Sequence, residues 1–278
     1  RSSMIGALFG VFAALLIGVG DLFGRRVSNR SSPITSATAM QCVAAITLII
    51  SLLFWNRPPD GDDLLLGALS GLGAATGLCC YYMGLKTTSS AVVAPIAAVV
   101  ATVVPVFWAL ATDVEISYFS GFGVGIALVG LVLVTADGRL GVNVRAGAIW
   151  GLASGLGYGF GFGVLLKVTM VGGTWVLVSQ RLLAFAIMIL VATAVGARMT
   201  PPRGTRLTAI AAGVSGGATS VAFLVGLQFD PLPTVVAMSL FPVFSILVGW
   251  LVFKDQVSIR QVWGIALAVI GTGVVVGG

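Results

Sequence analysis

Apolar stretches long enough to cross a bilayer alternate with short polar segments along the whole chain. A transmembrane helix needs about 20 mostly apolar residues, and runs of that length recur from Met4 onwards. The segments between them combine turn-forming and charged residues, as in residues 57–63 (RPPDGDD) and 201–204 (PPRG). The pattern predicts an all-α membrane protein with ten transmembrane helices. We number these spans 1 to 10, at residues 4–23, 33–54, 64–85, 90–110, 117–135, 147–166, 174–195, 205–226, 233–253 and 259–276.

The composition excludes several classes of protein. Hydrophobic residues make up 58% of the chain and charged residues 9%, whereas a soluble domain carries about 25% charged residues. The net charge of +6 comes from basic residues scattered between the spans, so it indicates membrane topology and not nucleic-acid binding. The chain has no histidine and no phosphate-binding loop motif, and we expect neither an enzyme nor a cofactor. Any transport would draw its energy from a gradient.

The chain contains an internal duplication that aligns positions 6–27 with positions 147–168. We call this alignment, which places Gly6 on Gly147, the repeat register. The identical pairs are Gly6 and Gly147, Ala7 and Ala148, Gly10 and Gly151, Leu15 and Leu156, Gly18 and Gly159, Gly20 and Gly161, and Val27 and Val168. The same register aligns Gly130 with Gly271 near the ends of the two copies. We therefore divide the chain into two repeats, residues 1–138 and 139–278.

Five spans in each repeat is an odd number, so the second repeat is expected to enter the membrane in the opposite sense from the first. Two inverted five-helix repeats are typical of secondary transporters, whose substrate site lies near the bilayer midplane between them. Lysine and arginine are concentrated in the loops after spans 1, 3, 5, 7 and 9. The positive-inside rule then predicts that both termini lie outside the cytoplasm.

Span 6 has glycine at every fourth residue from Gly151 to Gly163. One interpretation is close helix packing through small residues, which we favour. The other is that the missing side chains make room for a substrate, with Tyr158 or Phe162 beside it.

Two ionisable residues lie within spans, where a charge costs at least ~2.5 kcal/mol. Arg181 in span 7 could bind a substrate carboxylate, or it could be an interfacial or ion-paired arginine. Asp21 in span 1 could attract an ammonium group or carry a coupling proton. An ordinary pair with Arg25, one turn along the helix, is an equally good explanation.

Other residues are candidates for lining a cavity. Pro95 and Pro105 in span 4 and Pro242 in span 9 could form gate hinges or passive kinks. Tyr81 and Trp108 could line an apolar, aromatic cavity, although aromatic residues also belong at membrane interfaces. The hydroxyls of Thr219, Ser220 and Ser239 could act as polar anchors or could bond back to their own helices.

The end of the chain resembles an EamA-type repeat of the drug/metabolite transporter superfamily. Residues 239–258 (SLFPVFSILVGWLVFKDQVS) resemble the family's proline-containing helix and its acidic end, and Gly264 and Gly271 have the spacing of its final helix. Residues 180–185 (QRLLAF) also resemble the arginine-bearing start of the family's second helix. Span count and duplication extend the resemblance to the whole chain.

The first repeat departs from the family pattern at several positions. Met40 and Gln41 occupy the place where the family often has arginine, and Pro105 is about one turn from the usual proline position. In the second repeat, Asp255 replaces the more usual glutamate. The resemblance nevertheless implies an exporter of small metabolites with a cavity lined by spans 1, 3, 4, 6, 8 and 9. It also implies that both termini lie in the cytoplasm, which disagrees with the charge count.

Together these observations predict a secondary transporter that exports amino acids or similar small metabolites across the bacterial inner membrane by alternating access. The expected partners are a small-molecule substrate and the lipid bilayer, and the expected assembly is a monomer or weak oligomer. Within the same fold, the alternative is an exporter of drugs or other metabolites. A channel or a membrane scaffold is the alternative from another class, although the chain lacks the acidic rings or carbonyl filters of a cation pore.

Overall fold

A computed structural model describes residues 2–54, 57–87, 93, 96–101, 103–104, 118–135, 144–169, 171–238, 240–248, 251 and 258–277. Every regular element in this part of the chain is helical. The helices are α1 Ser2–Arg30, α2 Pro33–Ser51, α3 Gly61–Thr87, α4 Tyr118–Thr135, α5 Val144–Leu165, α6 Trp175–Ala194, α7 Arg206–Phe229, α8 Pro231–Met238, α9 Phe241–Val248 and α10 Ile259–Gly277. Between α3 and α4, Val93 and residues 96–101 and 103–104 are also helical, and we call them the span-4 segment.

Six helical stretches in the described part of the chain are long and apolar enough to cross a membrane. They are Ser2–Arg30, Pro33–Ser51, Gly61–Gly84, Arg145–Leu165, Trp175–Ala194 and Arg203–Phe229. Two shorter apolar stretches, Gly121–Gly130 and Val262–Gly271, lie within α4 and α10. The protein is therefore a multi-pass membrane protein.

Local sequence explains where these helices begin and end. α1 continues to Arg30, beyond the predicted end of span 1, because no helix-breaking residue interrupts it. The Ser32 side chain then accepts a hydrogen bond of 3.0 Å from the Thr35 N–H, and Pro33 occupies the first position of α2. Span 9, predicted as one helix, is divided into α8 and α9. Pro242 is the second residue of α9 and has no N–H to bond the Met238 carbonyl, so α8 ends there.

Glycine contacts between α4 and α10 follow the repeat. A Cβ atom added to Gly130 would lie 2.6 Å from the Gly264 carbonyl oxygen, and one added to Gly271 would lie 2.6 Å from the Gly123 carbonyl oxygen. In the repeat register Gly130 corresponds to Gly271 and Gly264 corresponds to Gly123, so the two contacts are equivalent. Because Gly130 meets the beginning of α10 and Gly271 meets the beginning of α4, the two helices run antiparallel. Two helices related in this way cross at a twofold axis perpendicular to their length.

A second set of contacts has the same relation. A Cβ atom on Gly10 of α1 would lie 2.8 Å from the Ala237 side chain in α8, and one on Gly151 of α5 would lie 2.9 Å from the Ile96 side chain in the span-4 segment. Ile96 and Ala237 are again counterparts in the repeat register. The glycines that recur between the repeats therefore mark matching places where helix backbones approach closely.

Candidate functional site

A central cavity lies among α1, α2, α3, the span-4 segment and α5 to α9. It contains about 1010 Å³ of unfilled space when its opening to solvent is included. Most of its lining is apolar. The apolar lining residues are Leu16, Ile17, Met40, Ala44, Ala74, Leu78, Ala101, Phe162, Leu165, Leu177, Phe223, Met238 and Phe241.

Aromatic side chains form one side of the cavity. The rings of Tyr158 and Phe162 on α5 stack with their centroids 6.1 Å apart and their planes 12° apart. Phe162 also packs on Phe223 of α7, at a centroid distance of 5.3 Å. Tyr81 of α3 lines the cavity and is 3% exposed. These rings offer a rigid apolar surface to a ligand at low cost in conformational entropy.

Arg181 supplies a positive charge to the cavity from α6, and three hydrogen bonds hold its guanidinium group. Nη1 donates to Oε1 of Gln41 at 2.9 Å, while Nη2 donates to Oγ of Ser220 at 2.6 Å and to the Gly216 carbonyl oxygen at 3.3 Å. The Nε atom is buried and makes no hydrogen bond to the described residues. A buried N–H without an acceptor is costly, so an acceptor on a ligand would be favoured beside this group.

A second polar chain lies next to Arg181. Gln180 donates through Nε2 to Oγ of Ser70 at 2.6 Å, and that hydroxyl donates to the Gly161 carbonyl oxygen at 3.0 Å. All three residues line the cavity. The side chains of Gln180 and Ser70 both have hydrogen-bond partners. They therefore add polarity to the cavity without adding an uncompensated buried group.

Asp21 of α1 places a carboxyl group on the cavity surface. The hydroxyl-bearing side chains of Tyr81 and Tyr158 line the same cavity. One acidic and one basic side chain thus share a cavity that is otherwise largely apolar.

The two charged residues break the symmetry between the repeats. In the repeat register the counterpart of Asp21 is Phe162, and the counterpart of Arg181 is Met40. All four side chains line the cavity. The repeat therefore relates Asp21 to an aromatic ring and Arg181 to a thioether, so the two repeats contribute chemically different side chains to the cavity.

The structure brings six of the predicted site residues together on the cavity surface: Asp21, Tyr81, Tyr158, Phe162, Arg181 and Thr219. The Thr219 hydroxyl donates to the Ser215 carbonyl oxygen of its own helix at 2.8 Å, which is the back-bonding alternative. Pro95, Pro105, Trp108 and Ser239 lie outside the described residues. Only the backbone of Pro242 is described, in the first turn of α9.

The glycines of span 6 pack against neighbouring helices. Cβ atoms added to Gly151, Gly155 or Gly159 would lie within 2.9 Å of side chains in the span-4 segment. Added Cβ atoms at Gly157 and Gly161 would instead contact α3. This arrangement agrees with the packing interpretation, and among these glycines only Gly161 also lines the described cavity.

Two residues that matter at the site were not predicted to belong to it. Gln41 contacts Arg181, and Phe223 extends the aromatic surface. Their counterparts in the repeat register are Leu182 and Tyr82, so the duplication gave no signal for either residue. A polar residue within an apolar span was the available signal for Gln41.

Comparisons with known proteins agree with this architecture. The sequence pattern described as the EamA-like transporter family matches the chain twice, over residues 4–136 and 145–277. A solved structure described only as "Crystal structure of protein" is 17% identical to the chain and superposes with a TM-score of 0.78. The match covers 97% of this chain and 95% of that one, and at this identity it shows the fold alone. No curated protein matches the chain.

Proposed function

The chain belongs to the EamA-like transporter family, and on that premise we propose that it is a secondary transporter that exports amino acids or similar small metabolites. The match confirms the resemblance drawn from residues 180–185 and 239–258. The family consists of membrane transporters of small solutes, not enzymes. We place the protein in the bacterial inner membrane, with ten spans in two inverted repeats.

One observation carries the proposed substrate class: Asp21 and Arg181 line the same apolar cavity. An amino acid has an ammonium group and a carboxylate, which these two side chains would bind separately. Interactions between charges are stronger in a cavity of low polarity than in water. The apolar and aromatic lining would then select the substrate side chain by size and shape. A phosphorylated substrate fits less well, because Arg181 is the only basic residue that lines the described cavity.

The contacts between the repeats support alternating access as the mechanism. The matching pairs at Gly130 and Gly271 and at Gly10 and Gly151 indicate that the two repeats are equivalent in structure. Inverted repeats can exchange conformations, which opens a central site to one side of the membrane and then to the other. The free energy for net transport would come from a substrate or proton gradient.

The test is reconstitution of the purified protein in liposomes with radiolabelled amino acids, with and without an imposed pH gradient. We expect at least one amino acid to exchange faster than in empty vesicles, in a saturable manner. Flux of another solute class, with no amino acid above the background, would refute the amino-acid assignment and favour an exporter of drugs or other metabolites. Non-saturable passage of small ions would instead favour a channel.

A further inference from the structure

Gln41 contacts Arg181 from outside the cavity. It lies on α2, is 0% exposed and is not among the residues that line the cavity. Its amide oxygen accepts the hydrogen bond from Nη1 of Arg181 at 2.9 Å, and its amide nitrogen donates to the Ala74 carbonyl oxygen of α3 at 3.4 Å. The second bond fixes the orientation of the amide, so that the oxygen faces the guanidinium group.

Ser220 and Gly216 hold the other end of the guanidinium group from α7. Arg181 is thus an α6 residue whose charged group is held from two other helices. An arginine side chain has many rotamers, and in a membrane helix it tends to extend toward the polar interface. Hydrogen bonds from opposite sides restrict that freedom and keep the charge at the cavity surface.

The repeat does not produce a second copy of this arrangement. The repeat counterparts of Gln41, Arg181 and Ser220 are Leu182, Met40 and Cys79, none of which could form the same hydrogen bonds. By contrast, the packing glycines Gly10 and Gly130 recur as Gly151 and Gly271. The glycines at which helices pack closely thus recur in both repeats, whereas the hydrogen-bonded set of Gln41, Arg181 and Ser220 occurs at one place in the cavity.

We propose that Gln41 and Ser220 are positioning residues that hold the Arg181 guanidinium group in the orientation that binds the substrate carboxylate. This inference rests on the proposed function. Selectivity for a carboxylate then depends on a residue that does not touch the substrate. Loss of the Gln41 oxygen frees Nη1 and allows the guanidinium group to turn away from the bound carboxylate.

The experiment compares the binding of two ligands by calorimetry on the purified protein in lipid nanodiscs. The first ligand is whichever of the proteinogenic amino acids binds the wild-type protein most tightly, and the second is its decarboxylated amine. The variants are Gln41→Met, which keeps a similar volume without the amide, and Ser220→Ala. The matched control is Ser154→Ala, because Ser154 is also 0% exposed and donates between helices, to the Gly77 carbonyl oxygen at 2.9 Å, but does not contact Arg181.

We expect Gln41→Met and Ser220→Ala each to weaken binding of the amino acid by about tenfold, as expected for a lost hydrogen bond to a charged group, and to leave amine binding within about twofold. Ser154→Ala should leave the ratio of the two affinities unchanged. An equal loss for both ligands, or the same change of ratio in Ser154→Ala, would overturn the positioning role while the transport proposal stands. If the wild-type protein binds none of the amino acids, the proposed function and this inference both fail.

Gln41→Glu keeps the proposal testable if Gln41→Met does not fold. This variant retains an oxygen for Nη1 but adds a negative charge beside Arg181, which competes with the substrate carboxylate. Amino-acid binding should weaken by at least as much as in Ser220→Ala, with no loss of amine binding. Unchanged amino-acid binding would contradict the proposal.

Discussion

Substitution of Gly130 by alanine should separate α4 from α10. An added Cβ atom would meet the Ala268 backbone nitrogen and would lie 2.6 Å from the Gly264 carbonyl oxygen. Because an ordinary contact begins at 3.4 Å, the helices must move apart by at least 3.4 − 2.6 = 0.8 Å. The obstructing atoms belong to the backbone and cannot turn aside as a side chain can. Overpacking of this kind costs about 1–3 kcal/mol.

The matched control is Gly125→Ala in the same helix, where an added Cβ atom meets nothing within 4 Å. Both substitutions gain the same helix propensity, so the difference between them isolates the packing cost. We expect the free energy of unfolding, measured by detergent titration in mixed micelles, to be about 1–3 kcal/mol lower for Gly130→Ala than for Gly125→Ala. Gly271→Ala should behave like Gly130→Ala, and the double variant should lose less than the sum because both substitutions separate the same pair of helices. Equal stability of the Gly130 and Gly125 variants would refute the close approach of α4 and α10.

Two further predictions concern the α3 terminus and the size of the cavity. Asp63 is 0% exposed and accepts hydrogen bonds from the N–H groups of Thr169 and Gly172 at 3.0 and 3.1 Å. Asp63→Ala should therefore lower the free energy of unfolding by about 3 kcal/mol, and an unchanged thermal midpoint would disprove this. Phe162→Ala removes a ring from the cavity and should shift transport selectivity toward larger substrate side chains. The control is Phe160→Ala on the same helix, at a position that is 38% exposed, and it should not change the selectivity. Liposome exchange with a series of amino acids checks this, and equal effects of the two substitutions would contradict the assigned cavity face.

Much of the architecture could be predicted from the sequence because the bilayer imposes a length on every apolar helix. α6, at Trp175–Ala194, differs from the prediction by one residue at each end. The larger differences have local causes. Arginines at the end of α1 extend that helix without breaking it, and Pro242 divides span 9 into two helices.

The candidate site was predictable only where its chemistry differs from that of its surroundings. Asp21 and Arg181 are conspicuous because charged residues are rare in apolar spans. Phe162 and Phe223 are not conspicuous in this way, since a phenylalanine that faces lipid and one that faces an apolar cavity give the same hydropathy pattern. The hydrogen bond from Arg181 to Gln41 joins positions that are 140 apart in sequence, and no local pattern specifies such a pair.

The proposed function depends most on the separate recognition of the two charged groups of one substrate by Asp21 and Arg181. The direct measurement is the affinity of an amino acid compared with its decarboxylated amine and its deaminated acid, in the wild-type protein, Asp21→Asn and Arg181→Met. We predict that Arg181→Met no longer distinguishes the amino acid from the amine, and that Asp21→Asn no longer distinguishes it from the deaminated acid. If folded variants keep the selectivity of the wild-type protein, these two side chains do not bind the substrate and the central claim is wrong.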